Sequence, residues 1–395
     1  MTPAARTQAA IELLDAIIAA AKAGGAAADT LIARYFAERR YAGSKDRRAV
    51  RERVYAAIRS AGEVPVSGRA AMAALADGDA ELAATFDGSR HGPAPIAADE
   101  ARAAGGTAPR WLEEALVASG LDWAAVPALV ERAPLDVRVN RLKATREEVL
   151  PAFPDAVATP FAEYGLRLPT GSAVEASAAF ADGAIEVQDE GSQLVGAVLE
   201  ATSGERIVDL CAGAGGKTLA LAAAMDNSGA LLACDVDRAR LQRLPQRAGR
   251  AGVTIAETRL MNPGRETEAL ADWLGQADGV LVDAPCSGTG TWRRNPEARW
   301  RLTAERLARL QATQVQVLDV AAALVRPGGR IVYIVCSLLD DEGKGQVEAF
   351  LARHDGWHAE EPFLPAGRAH GQGWRLDPAA DGTDGFFVAR LRAPC

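Results

Sequence analysis

Cys286 and Cys336 each end an apolar run, in VLVDAPCSGTGTW and RIVYIVCS. Such runs predict buried strands. Two thiols ending neighbouring strands share one cleft, and a pair of this kind suits covalent catalysis on a pyrimidine. Carbon 5 of the ring is a poor nucleophile. Thiolate addition at carbon 6 makes the ring enamine-like and able to attack an electrophilic methyl group, so one hard step becomes several easier ones. An ordinary thiol has a pKa of about 8.5, so the nucleophile needs activation by a cationic cofactor or by Lys217. Asp283 is placed to supply an acid at the base's Watson–Crick edge or to hold its exocyclic amine. A base must then remove the carbon 5 proton before sulfur leaves. Taken alone, either cysteine reads as a small buried hydrophobe. The pairing beside a cofactor loop is what favours chemistry.

That loop is Asp209-Leu-Cys211-Ala212-Gly213-Ala214-Gly215-Gly216-Lys217, between the run RIVD and the helical segment TLALAAAM. Its glycines permit a tight turn and close approach of a ligand to the backbone. Amides at a helix start favour an anionic group. A glycine-rich turn alone serves a dinucleotide, S-adenosylmethionine or plain close packing. Asp235 ends the next predicted strand, about one β-α-β step on, where an acid accepts hydrogen bonds from ribose hydroxyls. The loop departs from GxGxxG and no catalytic histidine is evident, which disfavours a dehydrogenase.

The elements needed to position these residues are legible as alternating strands and helices from about residue 187. Strands are expected in RIVDLCA, ALLACDVD, GVLVDAP, RIVYIVCS and DGFFVARL, with a weak one near TIAETRL. A long helix is expected from Thr303 to Val325, striped by Leu307, Leu310, Val317, Leu318, Ala321, Leu324 and Val325, and stopped by Pro327-Gly328-Gly329. This alternation predicts a parallel doubly wound sheet with ligands at the carboxyl ends of its strands. Residues 133–186 read as a small α+β subdomain, with LDVRVNRL, YGLRLP and AIEVQDE as strands and TREEVLPAF as a helix. Residues 1–132 read as helical: AAIELLDAIIAAA carries Ile11, Leu14, Ile18 and Ala21 at helical spacing, TLIARYFAERR follows, and DRRAVRERVYAAIR starts with Asp46 as expected N-cap.

With 395 residues, 49% of them hydrophobic, the chain is long and apolar enough for several packed domains. The five cysteines form no CxxC pair, and His91, His354, His358 and His370 lack zinc-site spacing, so no metal site is expected. No apolar run is long enough to span a bilayer and the first residues lack a signal-peptide pattern, which predicts a soluble, cytoplasmic protein. The net charge of −8 argues against nucleic acid, yet residues 1–60 hold eleven Lys/Arg against six Asp/Glu. A local basic face contacts phosphates even on an acidic protein; the bland alternative is a solvated helix surface.

Together DLCAGAGGKT, DAPCSGTG…RRNPEARW, LVRPGGRIVYIVCS and DGFF resemble the RsmB/Sun family of RNA 5-methylcytosine methyltransferases. VRVNRLK and VQDEGSQL resemble it too, and SKDRRAVRERVYAAIR resembles the end of its NusB-like helical domain. The resemblance covers nearly the whole chain. It implies an α/β fold: a Rossmann-like class I methyltransferase domain (187–395), an all-α NusB-like RNA-binding region (1–132) and the small subdomain between them. It implies that Cys336 is the nucleophile and that Cys286 aids release of the methylated base. Cys211 to Lys217 would bind the methionine part of S-adenosylmethionine and Asp235 its ribose, with Asp283 contacting both cofactor and cytosine. Arg294, Pro296 and Trp300 would shape the substrate side. The implied partner is structured RNA, ribosomal first and transfer RNA second, bound by a monomer, with the target base unstacked or flipped.

The chain departs from that pattern in places. Val335 stands where Thr is usual, which removes a local hydrogen bond. Asn262 stands where an Asp usually contacts the adenine amine, and its amide oxygen can still accept that bond. DDEGKGQV lacks the usual Glu-Asn-Glu, and no role is carried onto its acids. Three rivals remain open: a cytosine-5 methyltransferase using Cys286 as nucleophile, an exocyclic-amine methyltransferase, and a non-catalytic RNA-binding ribosome-assembly factor. Asp-Ala-Pro-Cys is a poor match to the Asn/Asp-Pro-Pro-aromatic segment of the second.

Overall fold

The computed structural model describes residues 1–395 and divides into two units, Met1–Arg132 with Thr291–Ala304, and Ala133–Gly290 with Glu305–Cys395.

The first unit is helical. Pro3–Ala23, Ala28–Glu38, Ser44–Ser60 and Gly68–Ala76 are its main helices. Ile11, Leu14, Ile18 and Ala21 all face the core, with Val50, Val54 and Ile58 opposite. Gly24 ends the first helix at φ +69°, a conformation that costs glycine little. Asp46 is not the N-cap of the third helix. Gly43 occupies that position, and Asp46 sits one turn inside, accepting the Gly43 N–H at 3.2 Å.

The segment Thr291–Ala304 corrects the expected domain division, which left it in the methyltransferase domain. Within the helical unit it acts as a staple. Arg299 is fully buried and donates to the carbonyls of Ile58 and Ala61 at 2.5 and 2.8 Å, at the carboxyl end of the third helix. Glu297 accepts the Ala28 N–H at 2.9 Å, at the start of the second helix. Arg301 donates to Gly25 and Ala26. Trp300 joins the helical core and Pro296 is buried, so both are packing residues in this unit.

The second unit holds two sheets. The smaller contains β1 (Leu135–Val139), β2 (Val157–Ala158), β3 (Gly165–Leu168) and β4 (Ile185–Val187), in the order β2-β3-β1-β4. Asn140 ties it to the rest of the unit, donating to Gly183 O and Ala251 O.

The larger sheet contains β5 (Arg206–Asp209), β6 (Ala230–Asp235), β7 (Ala256–Leu260), β8 (Ala277–Asp283), β9 (Val325–Val335), β10 (His358–Glu360), β11 (Arg368–His370), β12 (Gly373–Leu376) and β13 (Phe386–Arg392). Its order is β11-β12-β13-β9-β8-β5-β6-β7, with β10 paired to β13. From β9 to β7 neighbouring strands are parallel, and β10 to β13 pair antiparallel. Side chains alternate between two cores. Ile207, Leu231, Leu281 and Val332 pack under the helices Glu190–Ala197 and Gly216–Ala224. Val208, Leu232, Val280 and Tyr333 pack under Ala304–Leu324 and Lys344–Arg353. Burial on both faces explains the continuous apolar texture of these strands.

Pro327-Gly328-Gly329 does not follow a loop. The long helix ends at Leu324, and β9 already includes the Pro-Gly-Gly stretch. Pairing with β8 jumps from Ala277↔Val325 to Gly279↔Arg330. The stretch is therefore a bulge, a place where a strand tolerates proline.

Candidate active site

The chain runs from β5 outward through β6 to β7, then crosses back to β8 and β9 on the other side of β5. The switch lies between β5 and β8, and open α/β sheets bind ligands at the carboxyl ends there. A cavity of about 640 Å³ occupies this place, lined by Leu210, Cys211, Asp235, Met261, Asp283, Cys286 and Cys336 among others.

Asp283 is the last residue of β8, and Cys336 directly follows β9. The two strands are parallel neighbours, with Asp283 opposite Ile334. Cys286 lies three residues past β8. Its Sγ is 3.3 Å from that of Cys336. The hydrogen bond to Cys336, followed by burial, pushes the Cys286 thiol well above the usual range.

Glycine sets the backbone around this pair. Gly290 N–H donates to Cys336 O at 3.0 Å, and Gly290 O accepts from the Gly385 N–H at 2.8 Å. A Cβ on Gly290 would come within 2.1 Å of Gly385 O, so only glycine lets SGTG and DGFF approach this closely.

On the cofactor side, Gly213 takes φ +56° and Gly215 +89°. The Gly213 N–H donates to Asp235 Oδ2 at 2.6 Å, and the Asp237 N–H to Oδ1 at 2.7 Å. Asp235 is thereby fixed, with lone pairs left for a further donor. Ala212, Gly213, Ala214 and Gly216 form the turn, but of this stretch Leu210 and Cys211 reach the cavity wall. Ala214 O accepts from Arg247 at 2.6 Å. Burial keeps the Cys211 thiol protonated, pushing its pKa well up. Asn262 is exposed, and its neighbours Met261 and Pro263 line the cavity instead. Val335 is fully buried in the sheet's second core, where an apolar side chain suits the packing.

Lys217 Nζ donates to Asp283 Oδ2 at 2.7 Å. Burial alone would lower the lysine pKa, but the Asp283 carboxylate outweighs it and the net shift is upward. Lys217 stays charged, within electrostatic reach of Cys336. Beneath it, Asp209 is fully buried, its Oδ2 accepting from Thr218 at 2.6 Å. Asp209 Oδ1 has no partner, and burial pushes its pKa up to about 7.

These features fit S-adenosylmethionine. Four carboxyl groups, Asp235, Asp237, Glu266 and Asp283, line the switch-point cavity against two guanidinium groups, Arg240 and Arg306, a net acidic setting suited to a cationic ligand. Asp235 stands ready for hydroxyl donors. The thiols and Asp283 share the same cavity.

One residue of this site had no role in the sequence reading. Glu342, from DDEGKGQV, is fully buried and accepts hydrogen bonds from the loops of both cysteines. In a run of acids and glycine it reads as solvated loop. The only signal was an acid six residues past Cys336.

Residues 196–392 match the family model described as 16S rRNA methyltransferase RsmB/F. Ribosomal RNA small subunit methyltransferase B of Erwinia tasmaniensis is 36% identical over 294 residues, 72% of this chain and 66% of that protein. Its namesake from Xylella fastidiosa is 37% identical over 306 residues, 72% of this chain and 68% of that protein. The chain spans 60 to 66% of the length of the first curated relatives it matches. Among solved structures, that of PH0851 is similar with a TM-score of 0.79 and 25% identity, covering 99% of each chain. NSun6 from Pyrococcus horikoshii, solved with SFG, shares the fold at TM-score 0.65 and 21% identity, over 72% of this chain and 98% of that one.

Proposed function

The chain belongs to the RsmB/F family of ribosomal RNA methyltransferases, and on that premise we propose that it forms 5-methylcytosine in ribosomal RNA with S-adenosylmethionine as donor. The observation that carries this reading is the pair of thiols 3.3 Å apart, at the carboxyl ends of adjacent strands beside the switch-point cavity.

Bound in that cavity, the cofactor supplies an electrophilic methyl group. Asp235 holds hydroxyls of its ribose. Cys336, as thiolate, adds to carbon 6 of a cytosine taken out of its stack. Asp283, held as a carboxylate by Lys217, would accept a hydrogen bond from the exocyclic amine at the base's Watson–Crick edge and orient the ring. After methyl transfer, a base takes the carbon 5 proton, the carbon 6–sulfur bond breaks and Cys336 departs as thiolate, with Cys286, 3.3 Å away, assisting that departure. The basic helices of residues 1–60 would contact phosphates, positioning RNA without reading its sequence.

The test is denaturing electrophoresis of Cys286→Ala, Cys336→Ala and the double variant, purified from cells containing RNA. We expect Cys286→Ala alone to show a slow band that collapses with ribonuclease. A band from Cys336→Ala alone reverses the roles. No band from any variant removes the main support for the two-thiol mechanism and favours an RNA-binding assembly factor.

A further inference from the structure

The chemistry above leaves one fully buried carboxylate without a task. Glu342 lies in the turn between β9 and the helix Lys344–Arg353. Burying a charge is costly unless it is paired and hydrogen-bonded. No cationic side chain pairs with Glu342; four donors take that place. Oε1 accepts from Ser287 N–H at 2.8 Å and from Gln314 Nε2 at 3.0 Å. Oε2 accepts from Ser337 Oγ at 2.6 Å and from Ser287 Oγ. Its backbone carbonyl accepts from Tyr333 Oη at 2.7 Å.

These donors come from the two thiol loops. Ser287 follows Cys286, and Ser337 follows Cys336. Gln314 also donates to Pro285 O at 2.9 Å, just before Cys286. One carboxylate therefore anchors the residue after each thiol. Its negative charge also acts on Cys286, in the direction that disfavours a thiolate there.

We propose that Glu342 is a positioning residue for the thiol pair: by anchoring Ser287 and Ser337 it sets the spacing of Cys286 and Cys336 and places a negative charge beside them. The functional meaning rests on the two-thiol reading, but the test needs no RNA. The other titratable groups around the pair are Tyr333 from β9, Asp283 from β8, Cys211 from the cofactor loop and Lys217, which pairs with Asp283. None of these is changed in the test.

The experiment follows alkylation of Cys286 and Cys336 by iodoacetamide from pH 6 to 10, read by peptide mass. It compares the wild type, Glu342→Gln, and the double variant Ser287→Ala/Ser337→Ala. In Glu342→Gln the Cys286 profile should move about one unit to lower pH, a tenfold change in its thiolate fraction at a fixed pH. The preference for Cys336 over Cys286 should fall by a similar factor. The double serine variant keeps the charge and loses the clamp. It should leave the Cys286 midpoint in place while both thiols react several-fold faster, because their loops open. Superimposable profiles in a Glu342→Gln protein that melts cooperatively would overturn the proposal. If Glu342→Gln does not fold, the serine variant decides, and unchanged rates there overturn it. Shifted profiles in a protein that methylates no RNA uphold the positioning role and reject the methyltransferase reading.

Discussion

Lys217 and Asp283 join the two halves of the site: the lysine opens the helix after the cofactor loop, the aspartate ends β8, and their charged groups meet at 2.7 Å. The lysine is the more buried partner, at 10% side-chain exposure against 32%. Removing it leaves a carboxylate with partial access to solvent. Removing the aspartate leaves an ammonium with almost none. Asp283→Ala should therefore destabilise the protein more than Lys217→Met, by about 1–2 kcal/mol. Asp283→Asn keeps the shape but loses the charge that holds Lys217 and the base's amine, and should cut methyl transfer by about 10²-fold, the scale of misplacing a reacting group. Cofactor affinity, followed by calorimetry, should change far less. Equal losses in affinity and turnover would assign Asp283 to cofactor binding alone.

The closeness of the two sulfurs exposes the thiols to oxidants. Hydrogen peroxide oxidises one thiol to a sulfenic acid, which the other attacks with loss of water. The net change is two thiols and one peroxide to one disulfide and two waters. The sulfurs need to close from 3.3 Å to about 2.05 Å. Mild peroxide should abolish methyl transfer and yield a Cys286–Cys336 cross-linked peptide, with both effects reversed by dithiothreitol. Loss of activity with only singly oxidised peptides would show that the loops do not permit closure.

Arg299 is the centre of the staple in the helical unit. It has no exposure, and burial pushes its pKa down to about 9. It donates to Pro296 O as well as to Ile58 O and Ala61 O. Truncation removes the Arg299 donors to Pro296 O and Ile58 O, while Ala61 O keeps Trp300 Nε1 at 3.3 Å, at a cost of about 2 kcal/mol or more for Arg299→Ala. Arg299→Lys should recover little, because one ammonium cannot reproduce the planar fork. Urea unfolding of the full chain should show the loss in the transition of the helical unit. A midpoint unchanged in both variants would mean that the staple contributes nothing.

How much was legible follows from where side chains carry a local signal. The parallel strands β5, β6, β8 and β9 are buried on both faces, so their apolar runs stand out. The edge strand β7 is half-exposed and correspondingly weak in sequence. The short strands β10, β11 and β12 were not foreseen, because they are held by antiparallel pairing to β13 and to each other rather than by an apolar pattern. Asp235 and Asp283 end strands, and Cys336 and Cys286 follow β9 and β8 by one and three residues, so each stands out at the end of an apolar run. Glu342 was not, since its partners Ser287, Ser337 and Gln314 are 55, 5 and 28 residues away. Likewise RRNPEARW carries charges and aromatics suited to a substrate surface, and only the fold shows Arg299 and Trp300 turned into the helical core.

Asp209 makes stability depend on pH in a direction opposite to that of most carboxylates. Its folded-state pKa is raised from 3.8 to about 7 by burial, only partly offset by the Thr218 hydrogen bond. Between about pH 4 and pH 7 the native state holds a proton that the unfolded chain has lost. The native state then binds more protons, so this group's contribution to stability falls as pH rises through that window. Below it the contribution is fully present, and above about pH 7 it is flat at its lowest value. A shift of about three units sets the span on the order of 2–4 kcal/mol, allowing for relaxation around the buried charge. Asp209→Asn keeps an acceptor for Thr218 and never ionises. The variant should therefore exceed the wild type in Tm by several degrees at pH 8 and by much less at pH 4.5, unless the added amide hydrogens crowd the site, which would lower Tm equally at both values. A Tm difference that does not change between pH 4.5 and pH 8 would show that Asp209 does not titrate in this range.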